Sequence, residues 1–216
     1  PDAQFRALKV FTTGNTSDTN ILNALNHVIG LNTTTPGAVD LVNMSLGGGN
    51  FATGAACDAA GAAYLSAFAT LNSQGTSIFV ATGNDGETGQ ISSPACITGA
   101  IGVGSTGDAN FSLSFSNCTD NGAPNKVSCY SNATPVQGNG ELVDLLAPGC
   151  EIISLGLNNG VATSKCGTSM ATPYAAGSAA LVLEFLQGEG LSYTPAQLED
   201  VLELTGLPVL DYRIAG

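Results

Sequence analysis

A serine begins a long apolar segment in the last quarter of the chain, and this placement suits nucleophilic chemistry. Ser169 lies in residues 167–177, which read GTSMATPYAAG, and the small apolar residues after it predict a helix. A helix N-terminus presents N–H groups without intrahelical partners and the positive end of the helix dipole, which favour an oxyanion beside the serine oxygen. The three residues Gly-Thr-Ser alone would equally describe an ordinary serine N-cap.

Two further strings place polar or flexible residues directly after apolar runs. Residues 79–86 read FVATGNDG, so the Asn84 carboxamide can donate to a developing negative charge, although Gly-Asn-Asp-Gly is also a common turn. Residues 43–49 read NMSLGGG, in which the glycines allow another backbone to approach. Such a run also occurs in flexible loops and phosphate cradles. A nucleotide site is disfavoured, because the sequence has no Gly-Lys-Ser/Thr ending and no Gly-x-Gly-x-x-Gly.

These three strings resemble, in the same chain order, motifs of the subtilase family of serine proteases. The similarity covers eleven residues around Ser169, including the helix-interior Pro173, and it favours a nucleophile over a simple N-cap. Weaker similarities at residues 1–10, 144–149 and 194–204 extend it over nearly the whole chain. The resemblance implies a serine endopeptidase that hydrolyses the peptide bonds of a polypeptide substrate through an acyl-enzyme on Ser169.

The resemblance also implies roles for residues around the serine. It makes Asn84 the side-chain donor to the oxyanion, and it makes the segment after residue 43 an edge that pairs with an extended peptide. The implied substrate-binding residues are Ser45, Leu46, Gly47 and Gly48 on that edge, and Ala81, Thr82 and Gly83 on the opposite wall of the primary specificity pocket. Small side chains on that wall predict a roomy pocket.

The resemblance leaves the catalytic base unassigned. A subtilase takes an Asp from an early strand and a His from the following helix, and both belong before the segment that this sequence covers. His27 is the single histidine and lacks the family's Gly-Thr-His context, so we expect a surface or partly packed side chain. Asp2, Asp18 and Asp40 do not match the acid motif. Because a serine without a neighbouring base stays protonated near neutral pH, the isolated chain is expected to be nearly inactive.

Two interpretations of the missing base are open. The chain is part of a longer enzyme whose N-terminal segment carries the Asp and His, or it is a base-less relative that binds or inhibits through its peptide groove. We favour the first, because a pure binder has no physical use for a nucleophile beside an oxyanion donor. An α/β-hydrolase triad would need a His after Ser169, and a chymotrypsin-like order of His27, Asp40 and Ser169 belongs to an all-β fold.

The elements that must position these residues alternate between short apolar runs and helical patterns. Strands are predicted at residues 5–11, 41–46, 77–82, 100–105 and 142–146. Helices are predicted at residues 18–29, 54–74, 169–186 and 195–204. In the first, Asp18 and Thr19 are the predicted caps and Gly30 the predicted stop. The last begins with a capping box formed by Thr194 and Gln197. Residues 106–140 are predicted to be surface loop with short strands.

Apolar residues fill the predicted strands without alternation, which indicates that both faces of the sheet are covered. This pattern predicts an α/β fold of three layers, with a mostly parallel sheet flanked by helices. The resemblance implies a single partial subtilisin-like domain over residues 1–216, incomplete at the N-terminus. In the family the acid-bearing strand lies inside the sheet. Without it, the strand at residues 5–11 or its neighbour should keep an unpaired edge and an exposed apolar face.

Composition excludes several classes of partner. The 216 residues are 44% hydrophobic and 10% charged, as in a globular domain. Five Lys and Arg against 17 Asp and Glu give a net charge of −12, so nucleic acid and anionic membrane surfaces would repel the protein. No apolar run reaches the roughly 18 residues that a membrane span needs.

Cysteine usage favours an oxidising compartment, so an extracellular or secreted protein is expected. Six cysteines without a Cys-x-x-Cys pair favour disulfides over a zinc site. Six cysteines allow 15 pairings, and the sequence does not choose among them. Short loops favour Cys118 with Cys129 and Cys150 with Cys166, and the remaining pair would be Cys57 with Cys96. Reduced and packed cysteines are the alternative. The chemistry requires no cofactor. Structural calcium is common in the family, but no Asp-x-Asp-x-Asp-Gly loop is present, so no metal site is predicted.

Overall fold

The fold was determined as a computed structural model, which describes residues 3–12, 14–134, 142–156, 160 and 164–214. The strands of the described residues are β1 (Leu41–Met44), β2 (Gly48–Phe51), β3 (Ser77–Ala81), β4 (Ile91–Ser93), β5 (Ile101–Thr106), β6 (Phe111–Ser114), β7 (Thr119–Gly122) and β8 (Leu145–Pro148). The helices are α1 (Asp18–Thr34), α2 (Gly54–Ala60), α3 (Ala62–Ser73), α4 (Thr168–Gly188) and α5 (Pro195–Thr205).

A four-stranded parallel sheet in the order β1-β3-β5-β8 forms the centre of the fold. Residues 41–44, 77–81 and 101–106 lie within or close to the predicted strands, whereas β8 begins three residues later than predicted. Two antiparallel pairs, β2 with β4 and β6 with β7, lie outside this sheet. The β6–β7 hairpin falls in the region predicted to be loop with short strands.

Strand β3 explains why the sheet is covered on both faces. All five of its residues are buried. Ile78 and Val80 pack into a core with α1 and α3, whereas Phe79 points the other way into a core with α4 and α5. Because side chains alternate along a strand, a strand that is buried at every position must be covered from both sides. The predicted three-layer α/β fold is therefore confirmed.

Helix α1 differs from the prediction at both ends. Its N-cap is Ser17, whose side chain accepts from the Asn20 N–H, rather than Asp18 or Thr19. It also continues past Gly30, where a stop was predicted, to residue 34. The buried Asn32 explains the extension, because its side chain accepts from the Val39 N–H at 2.9 Å and donates to Thr76 Oγ1 at 2.7 Å. These tertiary bonds offset the roughly 1 kcal/mol that a glycine costs within a helix.

The helix predicted over residues 54–74 is divided into α2 and α3 at Gly61. Its backbone there departs from helical values, at φ −108° and ψ 37°. A Cβ at Gly61 would lie 2.6 Å from Ile97 Cδ1, so the chain needs glycine where this neighbour packs against the break. By contrast, α4 and α5 begin and end within two residues of the prediction, and the capping box between Thr194 and Gln197 is confirmed.

The strand predicted at residues 5–11 is wrong. Residues 3–12 contain no strand, and Phe5 is 96% exposed. A strand requires a neighbouring chain for its backbone hydrogen bonds, and among the described residues none pairs with this segment. Strand β1 likewise pairs on one side with β3 and lies at the edge of the described sheet.

Three disulfides pair the cysteines as predicted, Cys57 with Cys96, Cys118 with Cys129 and Cys150 with Cys166. The second links the residue before β7 to the loop that follows β7, and the third joins the chain after β8 to the residue before Gly167. It therefore anchors the entry to α4. In the part of the chain that the structure describes, no helix is both long enough and apolar enough to cross a membrane.

Candidate active site

The predicted site residues meet at the carboxyl ends of β1 and β3. Parallel strands direct these ends to one edge of the sheet, where ligands commonly bind in α/β folds. The segment after β1 carries Ser45, the turn after β3 carries Asn84, and Ser169 is the second residue of α4. Its N-terminal position leaves the Ser169 N–H without an intrahelical acceptor.

Ser169 and Ser45 bind each other through two hydrogen bonds. Ser45 Oγ donates to the Ser169 carbonyl oxygen at 2.8 Å, which fixes the loop after β1 against the first turn of α4. Ser169 Oγ donates to the Ser45 carbonyl oxygen at 3.4 Å. That distance is long for an O–H···O bond, so the half-buried Ser169 hydroxyl is only weakly held.

The Asn84 carboxamide is oriented by the residue that precedes Ser169. Asn84 Oδ1 accepts from the Thr168 N–H at 2.8 Å and from Thr168 Oγ1 at 3.1 Å. The buried Thr168 hydroxyl also accepts from the Gly83 N–H at 3.3 Å. Because the carboxamide oxygen faces Thr168, the exposed Nδ2 group remains available to donate, and it binds no acceptor among the described residues.

Asn132 supports the same turn, and the sequence analysis missed it. The buried Asn132 Oδ1 accepts from the N–H groups of Asp85 and Glu87 at 2.9 and 3.2 Å, and the Asn132 N–H donates to the Gly83 carbonyl at 3.0 Å. Gly83 has φ +107°, and a Cβ there would lie 2.4 Å from Asn132 Nδ2. Asn132 lies 45 or more residues from this turn in sequence and in no recognised motif, so no local signal pointed to it.

A groove of about 780 Å³ runs from Ser169 toward the N-terminus of α1. The predicted residues that line it are Leu46, Gly47, Gly48, Ala81, Gly83, Asn84 and Ser169. Ser45 approaches from beside the groove through its bonds to Ser169. Thr82 is fully buried, lies outside this lining and donates to the Asn132 carbonyl at 3.3 Å, so its side chain supports the wall from behind.

Among the described residues, no imidazole or carboxylate forms a hydrogen bond with Ser169 Oγ. His27 is exposed on α1, as predicted. Asp18 lines the far end of the groove, where its carboxylate accepts a hydrogen bond from the Tyr64 hydroxyl at 2.8 Å. Burial, together with this carboxylate, raises the pKa of Tyr64 well above its usual value. Asp40 accepts from the Tyr193 hydroxyl at 3.3 Å. Asp2 lies outside the described residues.

Metal-ligating groups come together at the opposite end of the sheet. Carboxylate oxygens of Asp144, Glu199 and Glu203 lie within 4.8 Å of one another. These carboxylates form no continuous loop motif of the kind on which the sequence prediction of no metal site was based, because they come from two segments 55 positions apart. All six cysteines are in disulfides and offer no thiolate.

Comparisons with known proteins point to one family. The model described as "Subtilase family" matches residues 1–210. The chain is 34% identical to the extracellular serine proteinase of Thermus sp. (strain Rt41A) over 163 residues, which are 75% of this chain and 31% of that protein. It is 32% identical to subtilisin E of Bacillus subtilis (strain 168) over 209 residues, 95% of this chain and 44% of that protein.

Solved structures give the same fold. A cold adapted subtilisin-like serine proteinase aligns with a TM-score of 0.66 and 29% identity, over 94% of this chain and 60% of that chain. The prenylagaramide maturation protease PagA aligns with a TM-score of 0.71 over 94% of this chain and 62% of that chain, and at 22% identity this likeness concerns the fold. The chain thus spans less than half of the two curated relatives and less than two thirds of either solved chain.

Proposed function

The chain belongs to the subtilase family, and on that premise we propose that residues 1–216 are a single partial catalytic domain of a subtilisin-type serine endopeptidase. The observation that carries this proposal is the bonding of Asn84 to Thr168, directly beside Ser169. It keeps a side-chain N–H donor and a serine hydroxyl at the same end of the groove, as acyl transfer requires.

Ser169 is the nucleophile in this proposal. Its Oγ attacks the scissile carbonyl carbon while its proton passes to a histidine base, and the carbonyl oxygen becomes an oxyanion. Asn84 Nδ2 and the Ser169 N–H donate to that oxyanion. The histidine then protonates the leaving amine as the C–N bond breaks, which leaves an acyl-enzyme that water hydrolyses. Removing one such oxyanion donor typically lowers kcat by about 10²- to 10³-fold.

The substrate polypeptide occupies the groove in an extended conformation. Ser45, Leu46, Gly47 and Gly48 pair with its backbone, while Ala81 and Gly83, backed by Thr82, form the wall of the primary pocket. Exposed glycines on the edge leave the backbone accessible to a peptide strand. The net charge of −12 and the polypeptide substrate make nucleic acid and membrane unsuitable partners. Three disulfides and the extracellular relative support secretion.

The Asp and His of the triad come from an N-terminal segment that is not part of these residues. The greater length of the relatives supports this. So do the edge of β1 and residues 3–12, neither of which pairs with a further strand at that side among the described residues. A segment that supplies a strand between β1 and residues 3–12 would give the backbone of each a hydrogen-bonding partner. Without it the Ser169 hydroxyl has no base, so the chain alone is inactive.

A second candidate, a peptide-binding or inhibitory module, is favoured by one observation. Ser169 Oγ is not bonded to any imidazole or carboxylate among the described residues. Such a protein would keep the groove and bind peptides without cleaving them.

A fluorophosphonate probe distinguishes the two candidates. The chain alone and the product of the whole reading frame that contains it should be treated in parallel, with Ser169→Ala as the control. Labelling of Ser169 in the longer product, but not in the chain alone, supports the partial enzyme. Absence of labelling in both supports the binding module. Labelling of the chain alone would refute the external base.

A further inference from the structure

The side chain of Arg213 lies almost wholly inside the protein, against the loop that follows β7. It is 10% exposed. Its Nε donates to Asp211 Oδ1 at 2.8 Å, and its Nη2 donates to the other oxygen of the same carboxylate. Asp211 therefore fixes the plane of the guanidinium and leaves Nη1 for other acceptors.

Arg213 Nη1 binds three backbone carbonyl oxygens of one short segment. It donates to the carbonyls of Ser128, Cys129 and Ser131 at 3.2, 3.1 and 2.6 Å, and both serines are buried. Carbonyl dipoles that converge on one point repel each other unless a donor lies between them, and a charged donor is the stronger one. Arginine suits this position because its planar fork supplies five N–H donors, whereas a lysine ammonium supplies three from a single nitrogen.

The Tyr130 carbonyl, which lies among these three in the chain, instead binds the turn that carries Asn84. It accepts from the Gly86 N–H at 2.8 Å. Asn132, two residues later, accepts from two more N–H groups of the same turn at 2.9 and 3.2 Å. The segment at residues 128–132 therefore connects the guanidinium to the turn.

We propose that Arg213 is a positioning residue for Asn84, acting through residues 128–132. The inference rests on the proposed function, which makes Asn84 the oxyanion donor. Without the guanidinium, three carbonyls lose the donor that they share, and the segment must move to bring them to water. Such a movement also displaces Asn132 and the turn that it holds. A displacement of about 1 Å in groups that position the reaction can lower a rate by about 10²-fold.

Hydrogen exchange on the chain itself tests the structural step. Arg213→Met keeps the length of the side chain and removes its donors. It should speed exchange of the amides at residues 85–87 by about tenfold or more, and that of the β3 amides by less than about twofold. Arg6→Met makes the same replacement at an exposed position and should change both sets by less than about twofold. Equal acceleration in the turn and in β3 would mean that Arg213 only stabilises the whole fold. That result would overturn the proposal, as would no acceleration in the turn.

Arg213→Lys provides the test if Arg213→Met does not fold. Its ammonium keeps the charge but cannot bind Asp211 through two nitrogens while it also reaches the three carbonyls. A smaller acceleration of the same turn amides is expected. Unchanged exchange in this variant would overturn the proposal.

Kinetics on the product of the whole reading frame test the link to Asn84. Arg213→Met should lower kcat for peptide cleavage by about 10- to 100-fold and change KM by less than about twofold, because the oxyanion exists only in the transition state. In an Asn84→Ala background the same substitution should lower kcat by less than about twofold further, since no donor is left to position. Equal losses in the two backgrounds would overturn the proposal. If the parent product neither cleaves peptides nor is labelled at Ser169, the proposed function fails, and the exchange experiment still tests whether Arg213 holds the turn.

Discussion

Alanine at Gly83 should disrupt the turn that carries Asn84. The backbone has φ +107° there, and a Cβ would lie 2.3 Å from Ser92 Oγ and 2.4 Å from Asn132 Nδ2. A side chain in such a strained conformation costs about 1 to 3 kcal/mol, and overpacking costs about another 1 to 3 kcal/mol. Gly83→Ala should therefore lower the free energy of unfolding by about 2 to 6 kcal/mol, a large part of the total for a typical domain.

Alanine substitutions at two other glycines distinguish the cost of backbone strain from the cost of close contacts. Gly37 has φ +74° with no heavy atom near its Cβ position, so Gly37→Ala should cost about 1 to 2 kcal/mol from conformation alone. Gly89 lies in the same loop as Gly83, outside the left-handed region and with open space around it. Gly89→Ala should change the free energy of unfolding by less than about 0.5 kcal/mol.

Urea unfolding followed by circular dichroism measures the series. Equal losses for Gly83→Ala and Gly37→Ala would refute the reasoning, because the close contacts of Gly83 would then carry no cost. If Gly83→Ala does not fold, the double variant with Ser92→Ala provides the test. Removing the Ser92 hydroxyl relieves one of the two contacts, so the double variant should be more stable than the single one.

Three further predictions follow from other contacts of the fold. Thr168→Val removes the hydroxyl that binds Gly83 and Asn84, so it should lower the free energy of unfolding in urea by about 2 to 3 kcal/mol. The control Thr172→Val loses one hydrogen bond within α4 and should lower it by about 1 kcal/mol. Equal losses in the two variants would contradict the role given to Thr168. Replacing both Cys57 and Cys96 with alanine opens a link across 39 positions and should cost about 4 kcal/mol by the same assay, and a loss under about 1 kcal/mol would refute this. The chain alone should self-associate in size-exclusion chromatography through the edge of β1 and the exposed apolar side chains of residues 3–12. Phe5→Ser should reduce this association, and a stable monomer of the unsubstituted chain would contradict the prediction.

Patterns that are satisfied locally could be predicted from the sequence. Strand β3 is apolar at nearly every position because both of its faces are covered, and Thr194 and Gln197 cap α5 with bonds three residues apart. The string around Ser169 has the same character, since the serine, the glycine before it and the helix after it are continuous in sequence. In each case the residues that determine the local structure lie close together in the sequence.

Features that depend on distant residues could not be predicted in this way. Gly61 divides a helical pattern because Ile97 packs against it, and Asn132 supports a turn 45 or more positions earlier. Residues 5–11 have an apolar strand-like sequence, but a strand forms only where a partner supplies hydrogen bonds. The carboxylates of Asp144 and Glu199 meet only after α5 packs at the end of the sheet.

The contacts that orient Asn84 and Ser169 have one property in common, which bears on how a complete enzyme would be assembled. Thr168 orients the Asn84 carboxamide, Asn132 holds the turn after β3, and Ser45 holds the first turn of α4. None of these contacts uses a histidine or an aspartate from outside the described residues. A segment that delivers the base therefore does not need to build the proposed oxyanion site. It has only to place one imidazole beside the Ser169 hydroxyl, whose one hydrogen bond within the described part of the chain is 3.4 Å long. Such a weak bond exchanges at little cost for a stronger one to an imidazole, so adding the segment should restore labelling of Ser169 without rearranging Asn84.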